Sequence, residues 1–463
     1  MAIDDLVNEL ILTPEQQEER KEPGTNITGP SETEQFVEVE SYEIPEEYRV
    51  ITDGINLPSQ LVRSRQLFGY FSSYKEITHT TASLVGTLAT VSMIGAGRVR
   101  TFTGSPVSTY IAYIAPTASS KDPVIKGMRA VDRAVNTTAT VVKSGSGLQS
   151  AGALNTMLSN CGEQLILTID EFGDVLGDIL KGANSARGTL KAPFKEMHSV
   201  GHKEFYEGAA YSDQGGKIKL SDPVKIESLA FGILGVTTKN QLMNHVERKY
   251  LEDGTLNRFL FIDGTNHRPT RNDSFGEINI PPQLMAYLDT FQIVDEETVM
   301  MRLDDDARTY WVYGMGDIQV GTGEISRWCN DDDIKLNIAS RVNLNALRLA
   351  TALAFFEGME TLPKWLLEWC FNFALLNMDN FYRLYYEDNE SSELMDDIEA
   401  VMNWWDIQSP GAHVSKTVLA RNATRLKTMK SRQRGELLKE LVERGEIVEN
   451  KDGTFTKILA TVG

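Results

Sequence analysis

Two apolar runs constrain this chain more than anything else in it. Each is short enough to be one buried strand, and each ends on chemically distinctive residues. The first is Thr109-Tyr-Ile-Ala-Tyr-Ile-Ala-Pro-Thr-Ala-Ser-Ser-Lys121-Asp-Pro. The second is Gln164-Leu-Ile-Leu-Thr-Ile-Asp170-Glu171-Phe172-Gly173. Runs without polar alternation predict strands covered on both faces, as in a parallel sheet. The first run breaks into small residues and then a lone lysine. The second stops on two adjacent carboxylates.

A loop after a strand can cradle phosphate when backbone N–H groups converge, a helix begins there and a lysine reaches the terminal phosphates. Thr117, Ala118, Ser119 and Ser120 are small enough for such a turn, and Lys121 stands where the following helix opens. Asp122 is a good N-cap, and Pro123 suits the first helical position. The pattern departs from GxxxxGK[ST]. Its glycines are absent, and Asp122 replaces the hydroxyl residue that normally touches magnesium. Asp170 and Glu171 supply the complementary half. A strand-end aspartate can hold Mg2+ and a neighbouring glutamate can polarise water. The alternative is a capped strand–helix junction and a solvated acidic turn. The order of the two motifs, 49 residues apart from Lys121 to Asp170 with a helix between, favours an ATP site.

Further strands are expected at Ser228–Thr238 and Arg258–Ile262, alternating with helical stretches. This predicts an α/β, RecA-like P-loop NTPase core with a parallel sheet. Thr237 and Thr238 end their strand, where ligands of such sheets bind. Thr238 is placed to sense a terminal phosphate or to serve only as a turn residue. Arg258 follows a glycine-led turn and is a candidate arginine finger for a neighbouring subunit's ATP. Arg248, Arg268, Arg271, Arg341 and Arg348 compete for that role. Asp174 and Glu204 are the reserve candidates for the water-activating base. His198 and His202, four apart, invite a metal reading, but the sequence around them lacks cysteine and carries Gly201. Two solvated loop histidines are the expectation.

The formal net charge is −19, yet residues 1–50 hold 14 Asp/Glu and 3 Lys/Arg, a net of −11. That acidic, aperiodic segment is expected to be a disordered tail. Residues 416–434 carry seven Lys/Arg and no acid. There Arg425, Lys427 and Lys430 are candidate DNA-backbone contacts, as are Lys217 and Lys219 on a glycine-rich loop. Solvated faces are the alternative for both. Expected boundaries are 1–50 for the tail, 51–97 for a helical segment and 98–280 for the ATPase core. A helical subdomain then covers 281–392 and a winged-helix-like domain 393–463. The three cysteines are too few and scattered for a disulfide scaffold or zinc site. Neither a membrane-spanning run nor a signal peptide is expected, which fits a cytoplasmic protein.

Six segments together resemble the helicase-like P-loop ATPase domain of phage, prophage and plasmid replication proteins of the primase–helicase type. They are YIAYIAPTASSKDP, SGLQSAGALNTMLSN, LILTIDEFG, ESLAFGILGVTT, DGTLNRFLFI and RVNLNALRLATALAFFEG, spanning residues 110–358. Their order is more specific than any one of them. The resemblance implies a RecA-like core and assembly into a homo-oligomeric, hexameric ring. It also implies a helicase or remodelling role on DNA, single-stranded by preference, beside other replication proteins. Lys121, Asp170 and Glu171 match that family's lysine and acidic pair; Asp122 departs from it. If the chain is phage-encoded, its compartment is the host cytoplasm. A non-hydrolysing DNA-binding or loader protein on a degenerate P-loop is the alternative. A structural virion or assembly protein is a third class that nothing in the residues supports.

Overall fold

The computed structural model describes residues 57–73, 77–115, 122–135, 141–182, 185–208, 224–264, 270–271, 279–292, 298–318, 321–330, 332–406, 413–422, 431–443 and 447–457. The described residues fall into two compact units, one ending at Phe381 and one beginning at Tyr382.

The first unit is built on five parallel strands. In chain order they are β1 Tyr110–Ala115, β2 Val141–Ser144, β3 Gln164–Ile169, β4 Ala230–Thr238 and β5 Phe259–Asp263. In space the order is β2-β3-β4-β1-β5, every pair parallel. All of β1, β3 and β5 is buried, as is β4 up to Thr237, which is why these runs lack polar alternation. The register pairs Ala115 with Thr238 and Ile169 with Gly235, so β4 projects three residues beyond β3 at the carboxyl edge.

Helices cover both faces. Before β1 come α1 Val62–Ser73 and α2 Thr80–Gly95; α3 Asp122–Val135 follows it. Helix α2 is buried along almost its whole length, as expected for a helix that is apolar all round. Thr87 Oγ1 donates locally to the Ser83 carbonyl at 2.8 Å, and Ser92 Oγ accepts from Thr109 Oγ1 at 3.1 Å. Phe71 of α1 wedges against Gly86 of α2 and Gly127 of α3, where a side chain at either glycine would collide with its ring. The opposite face carries α4 Ala151–Ser159, α5 Phe172–Leu180 and α6 Lys191–Ser199. Its core is aromatic. Tyr110 of β1 packs on Phe194, Phe231 and Phe259, and Phe172 on Phe259, with ring centroids 5.2–6.3 Å apart. Helix α7, Val342–Glu357, packs on α2.

Outside the main sheet, Val99–Arg100 is buried and pairs in parallel with Val299–Met300, and Phe205–Glu207 pairs antiparallel with Lys225–Glu227. Ser340–Arg341 separates the helix Asp333–Ala339 from α7, and α8, Lys364–Asp406, is one continuous helix.

Described elements of the second unit are the end of α8, α9 Lys416–Asn422, α10 Ser431–Glu443 and strands β6 Val414–Ser415, β7 Ile447–Glu449 and β8 Thr454–Lys457. The strands form an antiparallel sheet in the order β6-β8-β7. Val401, Trp405, Leu419, Leu437, Leu441, Ile447 and Phe455 make its own core. Asn450–Gly453 turns the hairpin, with Gly453 in the left-handed region at φ 76°. Strand β6 was not anticipated.

Candidate functional site

The carboxyl edge of the sheet gathers the chemistry that the sequence points to. Strands β1 and β3 are both neighbours of β4, two strand spacings or about 10 Å apart across the sheet. The chain leaves β1 toward Lys121 and leaves β3 into Asp170 and Glu171. Thr237 and Thr238 end the strand between them. Helix α3 begins at Asp122. Thr117, Ser119, Ser120 and Lys121 themselves lie outside the described residues, as do Lys217, Lys219, Arg425, Lys427, Lys430, Arg268 and the tail 1–50.

Asp170 and Glu171 are both exposed. Asp170 Oδ1 accepts the Glu171 N–H at 2.9 Å, which leaves Oδ2 for another partner. Glu171 adopts φ 53°, ψ 39°, left-handed backbone that costs a non-glycine residue about 1–2 kcal/mol. Phe172 and Gly173 hold it there. Phe172 is wholly buried and seats over Gly235 of β4, where an added Cβ would lie 2.3 Å from its ring. Gly173 approaches β4 so closely that its N–H donates to Thr237 Oγ1 at 3.1 Å. A Cβ on Gly173 would lie 2.6 Å from that oxygen and 2.7 Å from the Gln241 carbonyl. The carboxylate doublet is therefore clamped from behind by an aromatic ring and a glycine. Nothing local in the sequence marks Phe172 and Gly173 for this role.

Thr238 is committed to structure. It caps the short helix Lys239–Met243 in a reciprocal capping box, its hydroxyl accepting from Gln241 N–H at 3.4 Å and the Gln241 side chain accepting from Thr238 N–H at 3.3 Å. Thr237 is fully buried on Gly173. Asp174, a reserve base, faces His245 Nε2 at 3.3 Å. Glu204, the other reserve, is at the wrong end of the sheet. It accepts from Gly201 N–H at 2.6 Å, and its carbonyl takes the Ser228 N–H just before β4. At the carboxyl end of β5, Asp263 is buried beside Tyr113, whose hydroxyl meets His79 Nδ1 at 3.2 Å. Burial, with Asp263 nearby, keeps that phenol far above its usual range.

Arg258 precedes β5, and Phe259 pairs with Tyr110 at the amino end of β1. It therefore lies toward the edge opposite Asp170, about 13 Å away along the strands. It donates to the Gly254 carbonyl, and its loop is tied down on two sides. Asp253 pairs with Lys191 at 2.5 Å and Lys195 at 3.6 Å, and Asn257 Nδ2 donates to Ser340 Oγ at 2.5 Å. Among the described residues, no hydrogen bond or ion pair joins Arg258 to the acidic doublet. Of its competitors, Arg348 is buried and Arg271 pairs with Ile77 in a two-residue strand.

The histidine expectation fails for His198, while His202 lies in a turn. His198 is on α6 rather than a loop and is fully buried, its ring 4.9 Å from that of Tyr110. Burial drives its pKa well down, so the imidazole is neutral. No cluster of three or more His, Cys, Asp or Glu side chains placed to hold a metal exists among the described residues. No helix among them is long and apolar enough to cross a membrane.

No family model matches the chain, and no curated protein does. Among solved structures, the chain is similar to the P216G mutant of Thermotoga maritima RuvB. The identity is 13%, over 82% of this chain and 93% of that one, with a TM-score of 0.22. A likeness of that size assigns neither family nor fold. The assignment that stands is an α/β protein with a five-stranded parallel sheet whose carboxyl edge carries a clamped Asp170-Glu171 doublet.

Proposed function

We propose that this chain is a RecA-like P-loop ATPase that works on DNA in the replication of a phage or mobile element, as a helicase or remodelling ring. One observation carries the nucleotide part. The strand leading to Lys121 and the strand ending on Asp170-Glu171 flank a single strand, and both loops open at one edge. That is the juxtaposition a phosphate-and-magnesium site requires. In this reading Lys121 binds the terminal phosphates, with Thr117, Ser119 and Ser120 shaping the loop and Asp122 opening α3. Asp170, with Oδ2 free, positions Mg2+. Glu171, held in its left-handed turn, orients and polarises the attacking water. Thr238 contributes through its capping box, which sets where β4 ends.

The position of Arg258 at the amino edge suits action across a subunit boundary and no action within its own subunit. A hexameric ring with ATP between subunits follows from that role. The second unit, with its helices and three-stranded sheet, is read as a winged helix that uses Arg425, Lys427 and Lys430 on DNA, with Lys217 and Lys219 as pore-side contacts. The missing glycines and Asp122 favour one other reading, a DNA-binding or loader protein that holds nucleotide without turnover.

Steady-state ATP hydrolysis, with and without single-stranded DNA, separates the two. We expect turnover that DNA raises, and loss of ATP-analogue binding in Lys121→Ala. Analogue binding without turnover would establish the loader reading. Unchanged analogue affinity in Lys121→Ala would remove the phosphate-loop assignment.

A further inference from the structure

Behind the amino edge of the sheet, two arginines are withdrawn from water with no acid among the described residues to match them. Arg348, midway along α7, is 1% exposed, and Arg100 is likewise 1% exposed. Each spends one N–H group on a backbone carbonyl: Arg348 Nη2 on His198 at 2.5 Å, Arg100 Nη2 on Ser228. The Nε and Nη1 atoms of both are buried with no hydrogen-bond partner, as is Nε of the half-buried Arg258. Buried guanidinium groups are normally paired, because an uncompensated charge in the interior is strongly destabilising.

The neighbours do not supply the missing charge. Arg348 feels Tyr110 and three further cations, Arg341, Arg100 and Arg258. Tyr110 stays a neutral phenol, since burial raises its pKa well above 10. His198 is neutral. Arg258 feels Asp253, which already pairs with Lys191 and Lys195. Arg100 feels Glu163, whose side chain is exposed. Burial lowers Arg348 only to about 9 and Arg100 only to about 10, so both remain cations at neutral pH.

We propose that Arg348 and Arg100 hold a small inorganic oxyanion of the phosphate or sulfate class inside the fold. Planar guanidinium forks suit tetrahedral oxyanions, and the four unpartnered nitrogens are the donors such an ion takes. Their burial excludes a nucleic-acid backbone or a partner's carboxylate. Their position at the amino edge separates the site from Asp170 and from the carboxyl end of β1, so the inference does not rest on the ATPase reading. Ordered water is the competing occupant; it satisfies donors but leaves the charge.

The test titrates inorganic phosphate, and separately sulfate, into protein dialysed against chloride at constant ionic strength, and reads the thermal midpoint. The parent should rise by roughly 3–6 °C at saturation. Lys121→Ala, which removes the lysine of the proposed phosphate loop, should still rise, and Lys121→Ala/Arg348→Met should not respond. An ion that survives dialysis is counted by ion chromatography after denaturation. No shift in the parent together with no released oxyanion overturns the proposal in favour of water. A shift in the double variant equal to that of Lys121→Ala, or a shift lost in Lys121→Ala, also overturns it. If the double variant does not fold, Lys121→Ala/Arg100→Met takes its place and is read by the same criteria.

Discussion

The Gly173 N–H donates to Thr237 Oγ1 across 3.1 Å, joining the first turn of α5 to the last buried residue of β4. Through this bond the exposed Glu171, two residues earlier, is referenced to the interior of the sheet. A carboxylate on a free turn would sample many orientations. Here its backbone is held in a conformation that it would not otherwise prefer, two residues past the end of β3.

Gly173→Ala should damage stability and activity together. The new Cβ meets the Thr237 hydroxyl at 2.6 Å and Gln241 backbone at 2.7 Å, neither of which is the tip of a flexible chain. A loss of about 1–3 kcal/mol is expected from overpacking. Thr237→Val, which strands the Gly173 N–H, should cost about 1–2 kcal/mol. Urea denaturation measures both. A Gly173→Ala protein with parental stability and turnover would show that the clamp does not position the doublet.

Glu171 should separate stability from catalysis. Glu171→Gly relieves left-handed strain of about 1–2 kcal/mol and gives back about 0.5–1 kcal/mol as chain entropy. A net gain of about 0.5–1 kcal/mol is therefore expected, with turnover lost. Glu171→Gln keeps the side-chain shape, so analogue binding should persist while hydrolysis stops. Hydrolysis at the parental rate in Glu171→Gln would move the base elsewhere, with Asp174 next in position.

Asp132, on α3, carries a stability signature in pH. Burial raises its carboxyl to about 6 from an ordinary 3.8, against the opposing pull of Arg133 and Arg129. The folded chain therefore holds this proton more tightly than the unfolded chain does. The favourable contribution is present below 3.8 and is lost as pH rises through about 6. Asp132→Asn should stabilise the protein at pH 8 and make little difference at pH 3.5. Equal effects at both values, read from denaturant midpoints, would show that Asp132 is not so perturbed.

The basic strip should report itself through salt. If Arg425, Lys427 and Lys430 contact a DNA backbone, each contact releases counterions, and affinity falls steeply with ionic strength. Neutralising all three should weaken binding, flatten the salt slope and leave basal ATP hydrolysis in place. Fluorescence anisotropy at several salt concentrations measures this. Identical slopes for parent and triple variant would leave those residues as a solvated face.

Four of the five core strands were legible in sequence because fully buried strands have a local signature, an unbroken apolar β-branched or aromatic run. The fifth was not. Val141–Ser144 is four residues long and includes Lys143, and its strand character comes from pairing with β3 rather than from its own composition. The doublet's place at a strand end was legible for the same local reason. What holds it was not, because Phe172 on Gly235 and Gly173 on Thr237 join residues 63 and 64 positions apart, and no local pattern marks such a pair.

Sequence alone determined the residue types at the carboxyl edge, the α/β alternation and the separation of an acidic tail from a basic strip, all properties of contiguous residues. Tertiary structure alone decided which strands are neighbours, so that the strand leading to Lys121 and the strand ending before Asp170 flank β4. It also put Arg258 and Glu204 at the opposite edge, gave the Thr238 hydroxyl to a helix cap, and buried His198 against Tyr110. Strand order and burial depend on contacts between segments far apart in the chain, and those are settled only when the whole sheet packs.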